Sequence, residues 1–291
     1  MLESFFAGIE QQQAMIGDFP ARTPTFYRDA RGFALIFPAR LGAIREALPD
    51  RRLRPARLLP GVGAVHLTAF EYYDTDIGPY NEFAVGVLLE SPDHRRGPPG
   101  YNLLRQLACN EFHSYVLQLP VDTERARRAG VELYNYPKIL AEIEFHDTTE
   151  HVACEVKERG ELICRVQARK LPTRRGATAK FFCHLYQDRQ PQSLEFKVDL
   201  VAYAAGRGPG RGHVELGRHR MAQQLDRLLL GRTPLVHLDM PRLQGVLYGP
   251  DRPSLALIAR FFERALRVPL LADAPGRSPR PLPSAERGEQ P

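Results

Sequence analysis

From residue 32 to residue 217 the chain is cut repeatedly into apolar or alternating runs of strand length, separated by Gly, Pro and charged residues. Runs of this kind lie at 32–37 (GFALIF), 65–73, 83–89, 114–119, 180–186, 194–204 and 213–217. Between them, Val152, Cys154 and Val156 mirror Leu162, Cys164 and Val166 about a turn at Glu158-Arg159-Gly160, the pattern of a two-stranded hairpin. Such a succession predicts a mainly β (α+β) fold: a large antiparallel sheet or barrel with peripheral helices.

Helical patterns interrupt this succession at a few places. Residues 1–17 pattern as an amphipathic helix, and residues 41–48 as a short one stopped by Pro49. Asp122 can cap a helix that runs to Ala129 and is ended by Gly130, which puts 132–145 in an extended segment. A helix is expected near 221–230, a strand near 235–238 and a helix over 254–266. The expected division is an N-terminal helix over 1–19, one domain over 20–271, and a disordered tail over 272–291 rich in Pro, Gly and charge.

With 43% hydrophobic residues in 291, the chain can bury a real core. No apolar run approaches the roughly 20 residues of a membrane span. The start, MLESFFAGIEQQQAMIGDF, has acids where a signal peptide has positive charge, so the expected location is cytoplasmic. The formal charge of +6 does not imply nucleic acid as a partner, because the basic residues are scattered among 34 acids. The runs at 51–57 and 173–175 lack interleaved stacking aromatics. The four cysteines show no CxxC spacing, and Cys154 and Cys164 pattern as small core residues.

Three possible sites have plainer readings. AGRGPGRGH (205–213) lacks the Lys-Ser/Thr of a phosphate-binding loop and lies between strand patterns, as a flexible hairpin loop would. HDTTEH (146–151) has no metal-ligand spacing and falls in a turn, so no metal is expected. No serine sits in a GxSxG elbow.

The stretch GVELYNYPKILAEIEF (130–145) is different. Only five of the chain's 40 basic residues are lysine, and one of them, Lys138, follows Tyr-Pro at the start of an apolar run. On strand spacing, Ile139, Ala141, Ile143 and Phe145 line one face, and Lys138 lies on the other with Leu140, Glu142 and Glu144, as a solvent-facing lysine would. The alternative is a site that needs a primary amine, since guanidinium stays protonated. Tyr136 and Ile139 offer apolar surface that would desolvate an ammonium, and a neutral amine can attack a carbonyl to form a Schiff base.

The run Gly130-x-Glu132-Leu133-x-x-Tyr136-Pro137-Lys138 resembles the signature around the Schiff-base lysine of the acetoacetate decarboxylase family. ARGFALIFPARLGAIREALP (30–49) resembles the family's N-terminal strand and helix, with Arg31 at the place of its active-site arginine. GPYNE (78–82) resembles its Gly-x-Tyr-x-Glu, with Glu82 at the place of its catalytic glutamate, and GPGRGHVELGRHRMAQQL (208–225) resembles its late hairpin. The resemblance implies an acetoacetate decarboxylase-like β-barrel or cone with flanking helices, and an assembly of identical chains. It implies a cofactor-independent decarboxylase of an acetoacetate-like β-keto acid, a small-molecule substrate, acting through an imine on Lys138. Arg31 would orient the substrate carboxylate, Glu82 would place that arginine or move a proton, and Tyr136, Tyr80 and Phe33 would wall the pocket.

The family pattern has a second lysine directly after the nucleophile, and Ile139 stands there in this chain. Activation of the amine by that neighbour is then left to desolvation. Two other readings stay open: a Schiff-base aldolase, dehydratase or cyclase using the same lysine, and a barrel that binds a small molecule without turnover.

Overall fold

The computed structural model describes residues 3–93, 97–208 and 210–250. Helix α1 (Glu3–Phe6) leads into a hairpin of β1 (Gln12–Ile16) and β2 (Phe19–Thr23), then the long β3 (Thr25–Arg40) and α2 (Leu41–Ala47). Strands β4 (Val62–Thr75) and β5 (Tyr80–Leu88), helix α3 (Tyr101–Cys109), β6 (Glu111–Val121), α4 (Glu124–Tyr134) and the short β7 (Lys138–Leu140) follow. Then come β8 (Glu142–Asp147), β9 (His151–Glu158), β10 (Glu161–Arg169), β11 (Thr178–Gln187), β12 (Gln190–Arg207), β13 (Gly212–Leu216), α5 (Arg220–Leu228) and β14 (Val236–Pro250).

Seven strands close into a barrel in the order β11-β12-β14-β3-β4-β5-β6, with β6 returning to β11. That closing contact is parallel, running from Lys180 opposite Glu111 to His184 opposite Tyr115. Further along β6 the partner changes, and β7 pairs in parallel with Leu119, Pro120 and Val121. A second antiparallel sheet, β13-β10-β9-β8, covers one side of the barrel.

Strand alternation divides the buried residues into two cores. Phe33, Leu35 and Phe37 of β3, Val65 and Leu67 of β4, and Phe83 and Val85 of β5 point outward. They meet Ile143, Cys154, Val156, Cys164 and Val166 of the second sheet. Tyr27, Ala30, Ala34, Tyr72, Tyr80, Leu194 and Val198 point into the barrel, where α4 adds Ala126, Ala129 and Tyr134. Cys154 and Cys164 are free and fully buried, the small core residues their pattern predicts. Their hairpin turns at Arg159 (φ 53°) and Gly160 (φ 77°), a left-handed pair that suits a tight two-residue turn.

The expected mainly β barrel with flanking helices is present, and several boundaries differ. Among the described residues, the helix expected over 1–19 is confined to Glu3–Phe6. The rest is the β1–β2 hairpin, because Gly17 (φ 57°) with Asp18 makes a tight turn and pairs Ile16 with Phe19. The helix expected to end at Gly130 continues to Tyr134 and stops at Asn135, which takes the left-handed cap (φ 59°). Its N-cap is Thr123, whose side chain accepts from the Ala126 N–H, while Asp122 accepts from the Asn81 N–H at 2.8 Å. The glycine-rich segment 205–213 is a crossing between two sheets rather than a hairpin loop, since β12 lies in the barrel and β13 in the covering sheet. Helix α3 follows a left-handed Gly100 and had no counterpart in the sequence reading. The helix expected at 254–266 and the tail at 272–291 lie outside the described residues, among which no helix is long and apolar enough to cross a membrane.

Leu67 is 1% exposed between barrel and covering sheet, so Leu67→Ala should leave a cavity there. The expected loss is about 2–5 kcal/mol of unfolding free energy, read by urea denaturation.

Candidate active site

The site is built on β5, β7 and the last turn of α4. Tyr136 follows the left-handed Asn135, and its N–H returns to the Gly130 carbonyl at 3.0 Å. Pro137 then turns the chain so that the Lys138 N–H bonds the Tyr136 carbonyl at 2.8 Å, and Lys138 enters β7 opposite Leu119. Its side chain runs into the barrel, not to solvent as the strand pattern taken alone implied. Lys138 is the sole lysine or arginine buried among the described residues.

Gly130 makes that path possible. A Cβ at position 130 would lie 2.3 Å from Lys138 Cδ and 2.5 Å from Cε, so the lysine stem lies directly across the α4 backbone. A glycine inside a helix costs about 1 kcal/mol relative to alanine; here that cost gives the stem a channel. The rest of the motif secures the helix. Glu132 pairs with Arg128 at 3.0 Å and accepts from the Gly17 N–H at 3.2 Å, joining α4 to the β1–β2 turn. The Tyr134 hydroxyl lies 2.6 Å from Thr25 Oγ1 and donates to the Leu247 carbonyl at 3.3 Å, tying α4 to β3 and β14.

Inside the barrel, Lys138 Nζ lies 2.8 Å from Glu82 Oε2, with the two side chains 4% and 11% exposed. Nζ also stands 5.0 Å from the centre of the Tyr80 ring, within cation–π range. The Tyr80 hydroxyl reaches Glu82 Oε2 at 3.4 Å, the Tyr72 hydroxyl reaches Oε1 at 3.5 Å, and the Tyr27 and Tyr80 hydroxyls are 3.3 Å apart. The rings of Tyr27 and Tyr72, and of Tyr72 and Tyr80, pack at 4.7 and 4.8 Å, with Phe70 and Phe196 extending the cluster. Tyr136 hydrogen-bonds Cys183 on the far wall.

Burial, reinforced by the Glu82 charge, pushes the Tyr27, Tyr72 and Tyr80 phenols well above their ordinary value. Burial also raises Tyr136, with the Cys183 thiol as the next cause. Burial brings Cys183 itself to about 11. The phenols therefore remain O–H donors at neutral pH. A buried ion pair is a poor source of stability, because desolvation consumes most of its Coulomb attraction, while loss of one partner strands the other charge. The pair is better suited to chemistry: it sets a primary amine beside a carboxylate, with hydroxyls able to donate to an oxygen.

Of the six residues expected at the site, Lys138, Glu82, Tyr80 and Tyr136 come together. Arg31 and Phe33 do not, and strand register is the reason. Gly32, Phe70 and Glu82 lie side by side across β3, β4 and β5 on the inner face. Arg31, Glu71 and Asn81 form the adjacent row, which points out of the barrel. Arg31 there donates to Glu71 and to Asp147 (2.6 Å), and its guanidinium lies 5.8 Å from the Phe145 ring centre. Phe33 packs edge-on to Phe145 at 6.4 Å in the core between the sheets. Ile139 packs against that same core, away from the amine. Asp147, in the HDTTEH turn, is held by Arg31 and Lys170.

Tyr27, Tyr72 and Cys183 were missed in the sequence. Tyr72 was within reach: a β4–β5 hairpin turning between Thr75 and Tyr80 sets Tyr72 opposite Tyr80. A groove of about 810 Å³ lined by Arg51, Arg52, His113, Phe182, His184 and Gln192 shares no residue with this site. Its Phe182 and His184 alternate along β11 with the inward Cys183.

A closed barrel with an amine and a carboxylate buried inside it defines the class of molecule. The family model for acetoacetate decarboxylase matches residues 13–234, and the chain belongs to that family of enzymes. No curated protein matches it in sequence. Among solved structures it is similar to an acetoacetate decarboxylase at 15% identity, covering 79% of this chain and 89% of that one, with a TM-score of 0.56. It is also similar to acetoacetate decarboxylase from Legionella pneumophila subsp. pneumophila at 14% identity (86% and 94% covered, TM-score 0.55). The enduracididine biosynthesis enzyme MppR aligns at 13% identity (78% and 86% covered, TM-score 0.51).

Gly130→Ala should leave the far-UV circular dichroism of the helices intact, since alanine favours helix. It should slow cyanoborohydride-trapped reaction of Lys138 with an aldehyde probe by roughly ten- to a hundredfold, because the displaced stem misplaces the amine.

Proposed function

We propose that the protein is a cofactor-independent carbon–carbon lyase that works through an imine on Lys138. The observation that carries this reading is the 2.8 Å contact between Lys138 Nζ and Glu82 Oε2 inside the barrel. Glu82 takes the ammonium proton, and the neutral amine adds to the substrate carbonyl carbon to give a carbinolamine. Glu82 returns that proton to the carbinolamine hydroxyl, which leaves as water, and the iminium remains. Heterolysis of a bond beside the iminium sends its electron pair toward nitrogen and gives an enamine. Protonation at carbon and hydrolysis then release product and restore the amine. The Tyr72 and Tyr80 hydroxyls, kept protonated, hold Glu82 in place and supply donors for the departing oxygen.

Two bonds can be broken on this route. Loss of CO₂ from a β-keto acid is supported by the family match. Cleavage or formation of an aldol-type carbon–carbon bond is supported by the position of Arg31, which faces away from the amine and so provides no clamp for a substrate carboxylate. MppR, a fold relative, is described in complex with the condensation product of pyruvate and imidazole 4-carboxaldehyde. The aldol-type bond is the one the geometry favours.

Borohydride reduction in the presence of a panel of β-keto acids, pyruvate and aldehydes should add the mass of a reduced adduct to the Lys138 peptide, and Lys138→Arg should abolish it. Glu82→Gln should lower the rate by about 10²–10⁴-fold, the usual worth of a positioned acid–base group. Released CO₂ would mark the decarboxylase, and a pair of carbonyl products the aldolase. Absence of any adduct on Lys138 across the panel would sink the imine route.

A further inference from the structure

We infer that the carbonyl compound accepted at Lys138 is an uncharged aldehyde or ketone, with no carboxylate beside the reacting carbonyl; this rests on the imine reading above. The first ground is charge. Lys138 is the one buried lysine or arginine among the described residues, and its charge is already matched by Glu82 at 2.8 Å. When the amine becomes an iminium the cation persists, still matched by the same carboxylate. A substrate carboxylate would be a second anion next to Glu82 with no second cation, in a setting where like charges within about 4 Å repel far more than in water.

The second ground is the fate of Arg31. The family resemblance implied that Arg31 would orient a substrate carboxylate, and here Glu71 and Asp147 hold it on the outer face of β3. Turning it inward would break both ion pairs and move it through the strand to the other side of the sheet. The Cβ that a residue at Gly32 would carry on the inner face already lies 2.6 Å from Phe70 Cδ1, so the barrel wall at this level is closed by an aromatic ring.

The third ground is what walls the site. Tyr27, Phe70, Tyr72, Tyr80 and Phe196 present rings and neutral hydroxyls. Such a wall accepts apolar surface and donates to a carbonyl or hydroxyl oxygen, and it offers no charge to an anion.

The test uses two probes that share a skeleton and differ in charge, pyruvate and methyl pyruvate. The rate of cyanoborohydride trapping on Lys138 in the full chain is divided by the rate of the same probe with free Nα-acetyllysine, which removes the intrinsic reactivity of each. The normalised rate for the ester should exceed that for the acid by at least about tenfold. Glu82→Gln should narrow that ratio, since it removes the repelling charge, and Arg31→Gln should leave both rates within about twofold of the parent. An acid that traps as fast as the ester, or an Arg31→Gln variant that selectively slows the acid, would overturn the inference while leaving the imine route standing. If neither probe marks Lys138, the imine reading falls and this inference falls with it.

Discussion

The arrangement turns on one ion pair largely shielded from water. Lys138 and Glu82 meet inside a barrel whose inward side chains are largely aromatic and aliphatic, and each makes the burial of the other tolerable. Much of the surrounding architecture follows from that need. β5 carries the carboxylate inward between Tyr80 and Ala84, β7 carries the amine toward it, and α4 packs over the amine's stem. Take away Lys138 and Glu82 has no buried lysine or arginine to face among the described residues; take away Glu82 and the ammonium loses its ion-pair partner.

Seen this way, the residues that precede the lysine in its motif are mostly mechanical. Gly130 clears a path for the stem, Glu132 fastens the helix to the β1–β2 turn, and Asn135 supplies the left-handed residue that ends the helix. Pro137 sets the turn into β7. Tyr136 joins the site itself, through its contact with Cys183. The motif therefore specifies the placement of an amine to within a bond length, and says little about which carbonyl the amine will meet.

The sequence was most informative where period and chemistry agreed. The apolar and alternating runs coincide with observed strands to within a residue, and the mirrored cysteines lie in an observed hairpin, because a half-buried strand must alternate. Lys138 and Glu82 were legible through motif resemblance, with Tyr80 and Tyr136 as their neighbours. Arg31 and Phe33 were misplaced because the face a strand residue takes depends on register, and one residue of difference reverses it. In β3 that register is broken on both sides of Asp29, a feature no local pattern announces. Gly130 misled in another way: glycine commonly ends helices, and here it serves a close approach within one.

The barrel is closed along β6 by two partners in succession, β11 at its start and β7 at its end, both parallel. Parallel pairs cannot form by local zipping; their strands are brought together across long stretches of chain, at an entropic cost that slows folding. The Lys138 amine rides on the second of these partners and faces a carboxylate on β5. The surroundings of Lys138 are thus made by separate parts of the chain meeting, so a fragment lacking β5 or β6 would present the same lysine without its carboxylate or its partner strand.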